Sequence, residues 1–407
     1  MTADVTPTRR RYAKSAVTRD RILDAARDLF AERGFRSVSL RDIAGAADLS
    51  HPGVQRHFRT TADILDAVVA RLESDNERWL EETGRMDDGE AMLPALARHN
   101  AATPGYVELF TVLAGEATAI GHPAHARMRD RYADLRARSR EGLDVDDGAA
   151  ASLAAVSDGL QLISLYDPRI DVGGELEAYL GWRRTGATGS STPVPPGSVD
   201  ETGAQALARL VGDESGYATG RARRAALVEA ATAHFAANGF HDASLREIAD
   251  AAGMAKSTLL HHFSSKDELL AAVLVHRDRR VAELYGANPD ASGVEQLRGA
   301  VEGARRNAGE PGLVEVYAVL SSEASSASHP AHDYFRRRFD AARAGFAAEF
   351  ADARAAGATR ADLDSARAAL WTIALWDGLQ WQWLYDRDAI DVPALLSRTI
   401  EGMLTTA

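Results

Sequence analysis

The 407-residue chain has no cysteine, which excludes disulfides and thiolate metal sites. Lysine is almost missing as well, with only Lys14, Lys256 and Lys266 present. No stretch approaches the roughly 18 uncharged apolar residues that span a bilayer. The N-terminal MTADVTPTRRRYAKS is basic but lacks the apolar core of a signal peptide. A cytoplasmic location without membrane partners is therefore expected. Strand-like alternation is absent, and so is any nucleophile with a matched acid–base pair or phosphate loop at diagnostic spacing. No catalytic residue is assigned, no cofactor is expected, and the chain reads as a non-enzyme.

What is present is ordinary globular composition, 45% hydrophobic and 26% charged, which argues against disorder. A mass of 43.7 kDa exceeds what one core usually serves, so two or more domains are expected. The formal charge of −12 runs against a nucleic-acid partner, but the positive residues cluster. Arg9, Arg10, Arg11, Arg19 and Arg21 precede one short helical motif, and Arg221, Arg223 and Arg224 precede another. Charge alone leaves solvated helix ends as an equal reading.

Self-comparison organises the chain. A displacement of 205 residues lays Phe30, Gly34, Phe35, Ser39, Leu40, Arg41, Ile43, Ala44, Ala47, His57, Phe58 and Leu65 on Phe235, Gly239, Phe240, Ser244, Leu245, Arg246, Ile248, Ala249, Ala252, His262, Phe263 and Leu270. Displacements of 207 and 219 align GYVELFTVLAGEATAIGHPAH (105–125) with GLVEVYAVLSSEASSASHPAH (312–332), and DGLQLISLYD (158–167) with DGLQWQWLYD (377–386). The expected organisation is a basic arm (1–17), a helix-turn-helix domain (18–65), a helical body (66–182), a Gly/Ser/Pro-rich linker (183–220), a second helix-turn-helix domain (221–270) and a second body (271–407). Within the linker, Ala204 to Val211 is a weak apolar run. The spacing of Ile22, Leu23, Ala26, Leu29 and Phe30 predicts a helix over 19–33, which Gly34 ends. Ser39-Leu-Arg-Asp42 and Ser244-Leu-Arg-Glu247 read as capping boxes, and further helices are expected at about 62–82 and 267–285. The fold class is all-α, with two tandem units, each a three-helix domain followed by a larger helical body.

The run GFHDASLREIADAAGMAKSTLLHHFSSKDELL (239–270) resembles the DNA-binding domain of TetR-family transcriptional regulators. The likeness covers both halves, being strongest at 221–285, good at 18–73 and looser over the bodies. It implies that Lys256, Ser257 and Thr258 face bases or nearby phosphates. His261 and His262 would flank the DNA backbone, while Arg246 from the second helix and Lys266 from the fourth would touch phosphate. Leu260 stands where the family usually has Tyr. In the first copy the third helix reads Ser50-His51-Pro52-Gly53-Val54-Gln55-Arg56-His57-Phe58, and Thr61 replaces the lysine. Pro52 is tolerated because it falls in the first turn. Gln55 can read an adenine edge or touch phosphate, and Arg56 guanine or phosphate. The candidate DNA-binding set is completed by Ser39, Arg41, Ser50, His51, His57 and Ser244. For this copy, base reading stands against sequence-independent anchoring or no DNA contact.

The two recognition helices differ at nearly every reading position, which predicts an intramolecular pseudodimer, favoured over a homodimer, on an asymmetric operator. The resemblance assigns the bodies to effector binding and dimerisation, with double-stranded DNA and a small molecule as partners and repression as the expected action. Trp371, Ile373, Trp376 and Trp383 align with Ser152, Ala154, Ser157 and Ser164, which predicts that helix 150–166 packs against helix 366–386, large residue against small. The alternative is that the tryptophans line an effector pocket. Candidate pocket residues are Tyr317, Glu323, Phe335, Trp376, Trp381 and Tyr385. The first copy is also shorter between Tyr132 and Asp158 than the second between Phe339 and Asp377, which should shorten one helix. His122-Pro-Ala-His125 and His329-Pro-Ala-His332, each after a glutamate (Glu116, Glu323), have metal-ligand spacing, yet caps and packing explain them better and no metal is assigned. The rival function is a ligand-sensing or interaction scaffold whose helix-turn-helix units are vestigial.

Overall fold

A computed structural model describes residues 7–85, 88–185, 193–197, 218–285, 290–310, 312–360 and 362–404. Among them the chain is helical throughout, apart from turns, one 3-10 turn at Gly89–Ala91 and a single bridge between Thr359 and Leu404. The first half comprises α1 (Pro7–Arg33), α2 (Leu40–Ala46), α3 (His51–Gln55), α4 (Thr61–Glu82), α5 (Met92–Ala102), α6 (Tyr106–Glu116), α7 (His125–Leu143), α8 (Asp147–Ser164) and α9 (Val172–Thr185). The second repeats the order with α10 (Ala218–Asp242), α11 (Leu245–Ala251), α12 (Lys256–His262), α13 (Lys266–Tyr285), α14 (Gly293–Ala308), α15 (Leu313–Glu323), α16 (His332–Ala355), α17 (Ser365–Tyr385) and α18 (Val392–Met403). No described helix is long and apolar enough to cross a membrane.

Periodicity accounts for the small N-terminal domains. Ile22, Leu23, Ala26, Leu29 and Phe30 are buried along one face of α1, against Ile43, Val54, Phe58 and Ile64. In the second half Leu227, Ala231 and Phe235 take the same role against Ile248, Leu259, Phe263 and Leu269. Gly34 (φ 76°) and Gly239 (φ 72°) adopt the left-handed conformation that breaks each first helix. The segment expected as an arm is helical from Pro7, and α9 continues to Thr185. The apolar run Ala204 to Val211 lies outside the described residues.

The two bodies meet through contacts that come in matched pairs. Helix α8 crosses α17 so closely that a Cβ on Gly159 would lie 2.0 Å from the Ala374 carbonyl oxygen, and one on Gly378 would lie 2.1 Å from that of Ala155. Gly159 and Gly378 are equivalent by the repeat, as are Ala155 and Ala374. Likewise the Tyr166 hydroxyl donates to the Ser321 carbonyl at 2.5 Å and the Tyr385 hydroxyl to that of Ala114 at 2.7 Å. Helices α6 and α15 touch at the equivalent residues Gly115 and Ser322.

The expected large-against-small packing is corrected here. Small residues on both helices set the crossing, because only a missing side chain lets two backbones approach that closely. Trp371 turns to α9 instead, against Tyr179 and Trp182, and its indole N–H donates to Glu175 at 3.1 Å. The ring of Trp376 faces Phe346.

One pair of equivalent positions is unlike. Arg367 on α17 grips Glu175 on α9 with two hydrogen bonds of 3.0 and 3.2 Å, and both residues are buried. Past Asp167 the displacement becomes 220, with Ile170-Asp171-Val172 on Ile390-Asp391-Val392, so the repeat-related place pairs Gly148 with Leu395, which lies over it. Of the linker, residues 193–197 form a strap on α16: Arg343 donates to the Val194 carbonyl at 2.6 Å, and the Gly197 N–H donates to Asp340 at 2.9 Å. Helix α7 has 19 residues and α16 has 24, so the shorter stretch of the first copy does shorten a helix.

Candidate nucleic-acid interface

Each recognition helix is held by side-chain chemistry encoded nearby. In the first copy Ser39 and Asp42 form a complete capping box at the start of α2, and the Ser50 hydroxyl accepts from the Gly53 N–H at 3.2 Å to open α3. In the second, the Ser244 hydroxyl accepts from the Arg246 N–H at 3.2 Å rather than from Glu247, so Ser244 caps the helix without the expected second box. The turn between helices needs a left-handed residue: Gly253 (φ 68°) supplies it without cost, whereas Asp48 (φ 52°) holds it with a side chain. Arg19 stacks on Phe58 at 4.3 Å and Arg224 on Phe263 at 4.4 Å, so these two arginines brace the domain from the basic runs.

The exposed faces of α3 and α12 differ in chemistry. On α12, Lys256, Ser257, Leu260 and His261 are exposed and Thr258 and His262 half-buried. On α3 and its last turn, Pro52, Gln55 and Arg56 are exposed, with His51 and His57 half-buried. Arg41 is exposed on α2, and Arg246 on α11 is exposed beside Asp250 at 3.8 Å. Lys266 is turned inward: its ammonium donates to the carbonyls of Phe240 (2.8 Å), His241 (2.9 Å) and Ala243 (3.1 Å) and lies over the Phe240 ring. That geometry makes it a cap for the end of α10, a role Thr61 cannot copy.

The domains are tied to the bodies by two buried glutamates at the ends of α6 and α15. Glu116 accepts the Phe35 N–H at 2.9 Å, while Glu323 accepts those of Phe240 (2.6 Å) and His241 (2.8 Å). The glycine turns make this approach possible, since a Cβ on Gly34 would collide with Glu116. Burial, then the neighbouring Glu323 charge, pushes Glu116 up to about 8, and burial pushes Glu323 up to about 7. The two small domains also touch, through Arg36 to Asn238 (2.9 Å) and Ser37 to Asp242 (3.3 Å). Repetition of Glu116 and Glu323 in both copies was the sequence signal for this coupling, and metal spacing obscured it.

His241, Glu323 and His329 bring potential ligand atoms within 4.8 Å of one another. The histidines argue against an ion. In His122 and His329 the Nδ1 accepts a backbone N–H, from Ala124 and Ala331, each at 3.1 Å. The neutral ring then carries its proton on Nε2, and that nitrogen has no lone pair to offer. Burial holds both rings neutral, at about 3. His125 and His332 bond the carbonyls of Ala117 and Ala324 at 2.8 Å.

Of the six effector candidates, Tyr317 and Phe335 lie together, with ring centroids 5.8 Å apart. Tyr317 donates to Asp377 at 3.2 Å and its ring carries Arg277 at 4.3 Å and Arg338 at 5.1 Å. Phe335 packs beside Tyr317 and Tyr334. Glu323 belongs to the coupling just described, Tyr385 reaches across to Ala114, and Trp376 and Trp381 are buried. A cleft of about 570 Å³ lies elsewhere, between α4, α5 and α9, and its lining includes Trp79, Arg98, His99 and Glu177.

The profile of the family described as bacterial regulatory proteins, tetR family, matches residues 22–68 and 227–273. An HTH-type transcriptional repressor of Mycobacterium tuberculosis is 42% identical over 78 residues, which is 19% of this chain and 40% of that protein. The HTH-type transcriptional activator FasR of Mycolicibacterium smegmatis is 44% identical over 82 residues, 20% of this chain and 37% of that protein. The chain thus spans about two fifths of the length of these relatives. Among solved structures, SmeT, the repressor of the Stenotrophomonas maltophilia multidrug efflux pump SmeDEF, aligns at 19% identity and TM-score 0.39, covering 45% of this chain and 91% of that one. The family profile falls on the two small domains in which the faces of α3 and α12 are displayed.

Proposed function

From a chain that carries the TetR-family helix-turn-helix domain twice, we propose a DNA-binding transcriptional regulator, acting as a repressor, whose halves form a covalent pseudodimer on an asymmetric operator. The carrying observation is the unlike pair at the body interface. Two second halves would set Arg367 against Leu395 twice, and two first halves would set Gly148 against Glu175. Either arrangement strands a buried charge, which costs about 3–5 kcal/mol. Only a first half with a second half satisfies both places, so the interface favours unlike halves, which a single chain supplies by itself.

The unlike faces of α3 and α12 support unlike half-sites, because base edges are read by the side chains that reach them. A small-molecule effector would act by favouring a body conformation in which α6 and α15 no longer hold the Gly34 and Gly239 turns through Glu116 and Glu323. Selection of bound fragments from a random DNA library, with sedimentation of the complex, tests the reading. The expected result is one chain on a non-palindromic site, with affinity that falls steeply with salt. A palindromic winner or a two-chain complex refutes the pseudodimer, and absence of salt-dependent binding refutes the regulator and favours a scaffold.

A further inference from the structure

Leu260 is 43% exposed on the face of α12 that also presents Lys256, Ser257 and His261. Only Val17 and Ile120 are exposed to a comparable degree among the large apolar side chains described, and neither lies on a recognition helix. Residues 256 and 260, and 257 and 261, are one turn apart, so Leu260 sits amid a cationic and polar patch rather than at its edge. The helix gains no core packing from it, since Leu259 faces inward and is fully buried. An apolar side chain among hydrogen-bonding neighbours has one counterpart in the major groove: the 5-methyl group of thymine, the single apolar feature on a base edge there.

We propose that Leu260 is a specificity-determining residue that packs on a thymine methyl in the half-site bound by α12. Gln55 holds the equivalent place on α3 and is exposed; its amide matches the adenine N6 and N7. This position therefore adds to the difference between the half-sites, with methyl contact on one side and bidentate hydrogen bonding on the other. The inference rests on the DNA-binding reading above.

The test uses the full chain and the selected fragment, with each thymine of the α12 half-site replaced singly by deoxyuridine, which removes only the methyl. Removing one buried methyl group should weaken binding about fourfold. The expected result is one thymine that shows this loss, in the wild type and not in Leu260→Ala, while Leu260→Gln gains preference for adenine at that step. Leu260 is exposed, so both variants keep the fold, which circular dichroism checks. No sensitive thymine, or an undiminished deoxyuridine penalty in Leu260→Ala, overturns the assignment. Failure to select any fragment overturns the DNA-binding reading beneath it, and so is a distinct outcome.

Discussion

Replacing Glu116 by Gln should change how stability depends on pH by a predictable amount. The amide keeps an oxygen for the Phe35 N–H but cannot ionise. In the native protein, burial and then Glu323 raise Glu116 from 4.5 to about 8, opposed by the Phe35 N–H and Arg36, with Asp242 adding to the rise. His122 also faces it, 3.9 Å away. Because the folded state binds this proton more tightly than the unfolded chain, the contribution is complete below about 4.5 and is lost as pH rises through about 8. Between pH 6 and 9 it falls by about two pKa units' worth, or about 3 kcal/mol. Urea unfolding of wild type and Glu116→Gln, followed by tryptophan fluorescence at pH 6 and pH 9, should show the variant gaining about 3 kcal/mol on the wild type over that interval. Taking the difference removes His122 and His329, whose depressed values withdraw stability below about 6.5 in both proteins. A gap between the two proteins that stays constant with pH would refute the buried-carboxylate account.

Arg367→Met alone should cost about 3–5 kcal/mol by stranding Glu175, whereas Arg367→Met with Glu175→Leu should recover part of that loss and stay about 1–3 kcal/mol below wild type, because the Trp371 indole N–H loses its acceptor, as read by chemical unfolding. Gly378→Ala should force α8 and α17 apart at Ala155 and destabilise by about 1–3 kcal/mol, with a loss of melting temperature that the exposed Gly45→Ala does not show. Lys266→Met should lower stability by about 1.5–3 kcal/mol through three carbonyls left without a charged donor. Its salt slope for DNA binding should stay unchanged, and a slope reduced by about one would instead mean a phosphate contact.

How much was legible follows from what each feature depends on. The helix-turn-helix units were readable because they rest on local signals: the apolar face of α1, the left-handed glycines and the Ser39 cap. The repeat announced two bodies, and its matched residues turned out to be the ones that touch, as with Tyr166 and Tyr385. What stayed hidden depends on contacts across the chain. Side-chain volume suggested tryptophans against serines, yet backbone approach at Gly159 and Gly378 decides the crossing, and volume does not report that. The sequence shows the charge of Lys266 but not the three carbonyls within its reach. The Glu116 and Glu323 carboxylates likewise have their partners about eighty residues away.

A fused pair escapes a constraint that binds a homodimer. When two identical subunits meet, every contact is made twice, so a favourable charge on one side must find its partner on the same surface. In this chain Arg367 needs only one Glu175, and its repeat-related place is free to hold Gly148 and Leu395. Tethering already raises the local concentration of one half around the other to the millimolar range, so the unlike pair adds little to closure within a chain. Its effect falls on competing arrangements, by penalising first-with-first and second-with-second pairing between chains. The strap at 193–197 works in the same direction, because Arg343 and Asp340 fix the connecting segment against α16. Under the proposed reading, relief from self-complementarity extends to α3 and α12: once the bodies pair only as unlike halves, Gln55 and Leu260 can address different bases without a symmetric site to satisfy.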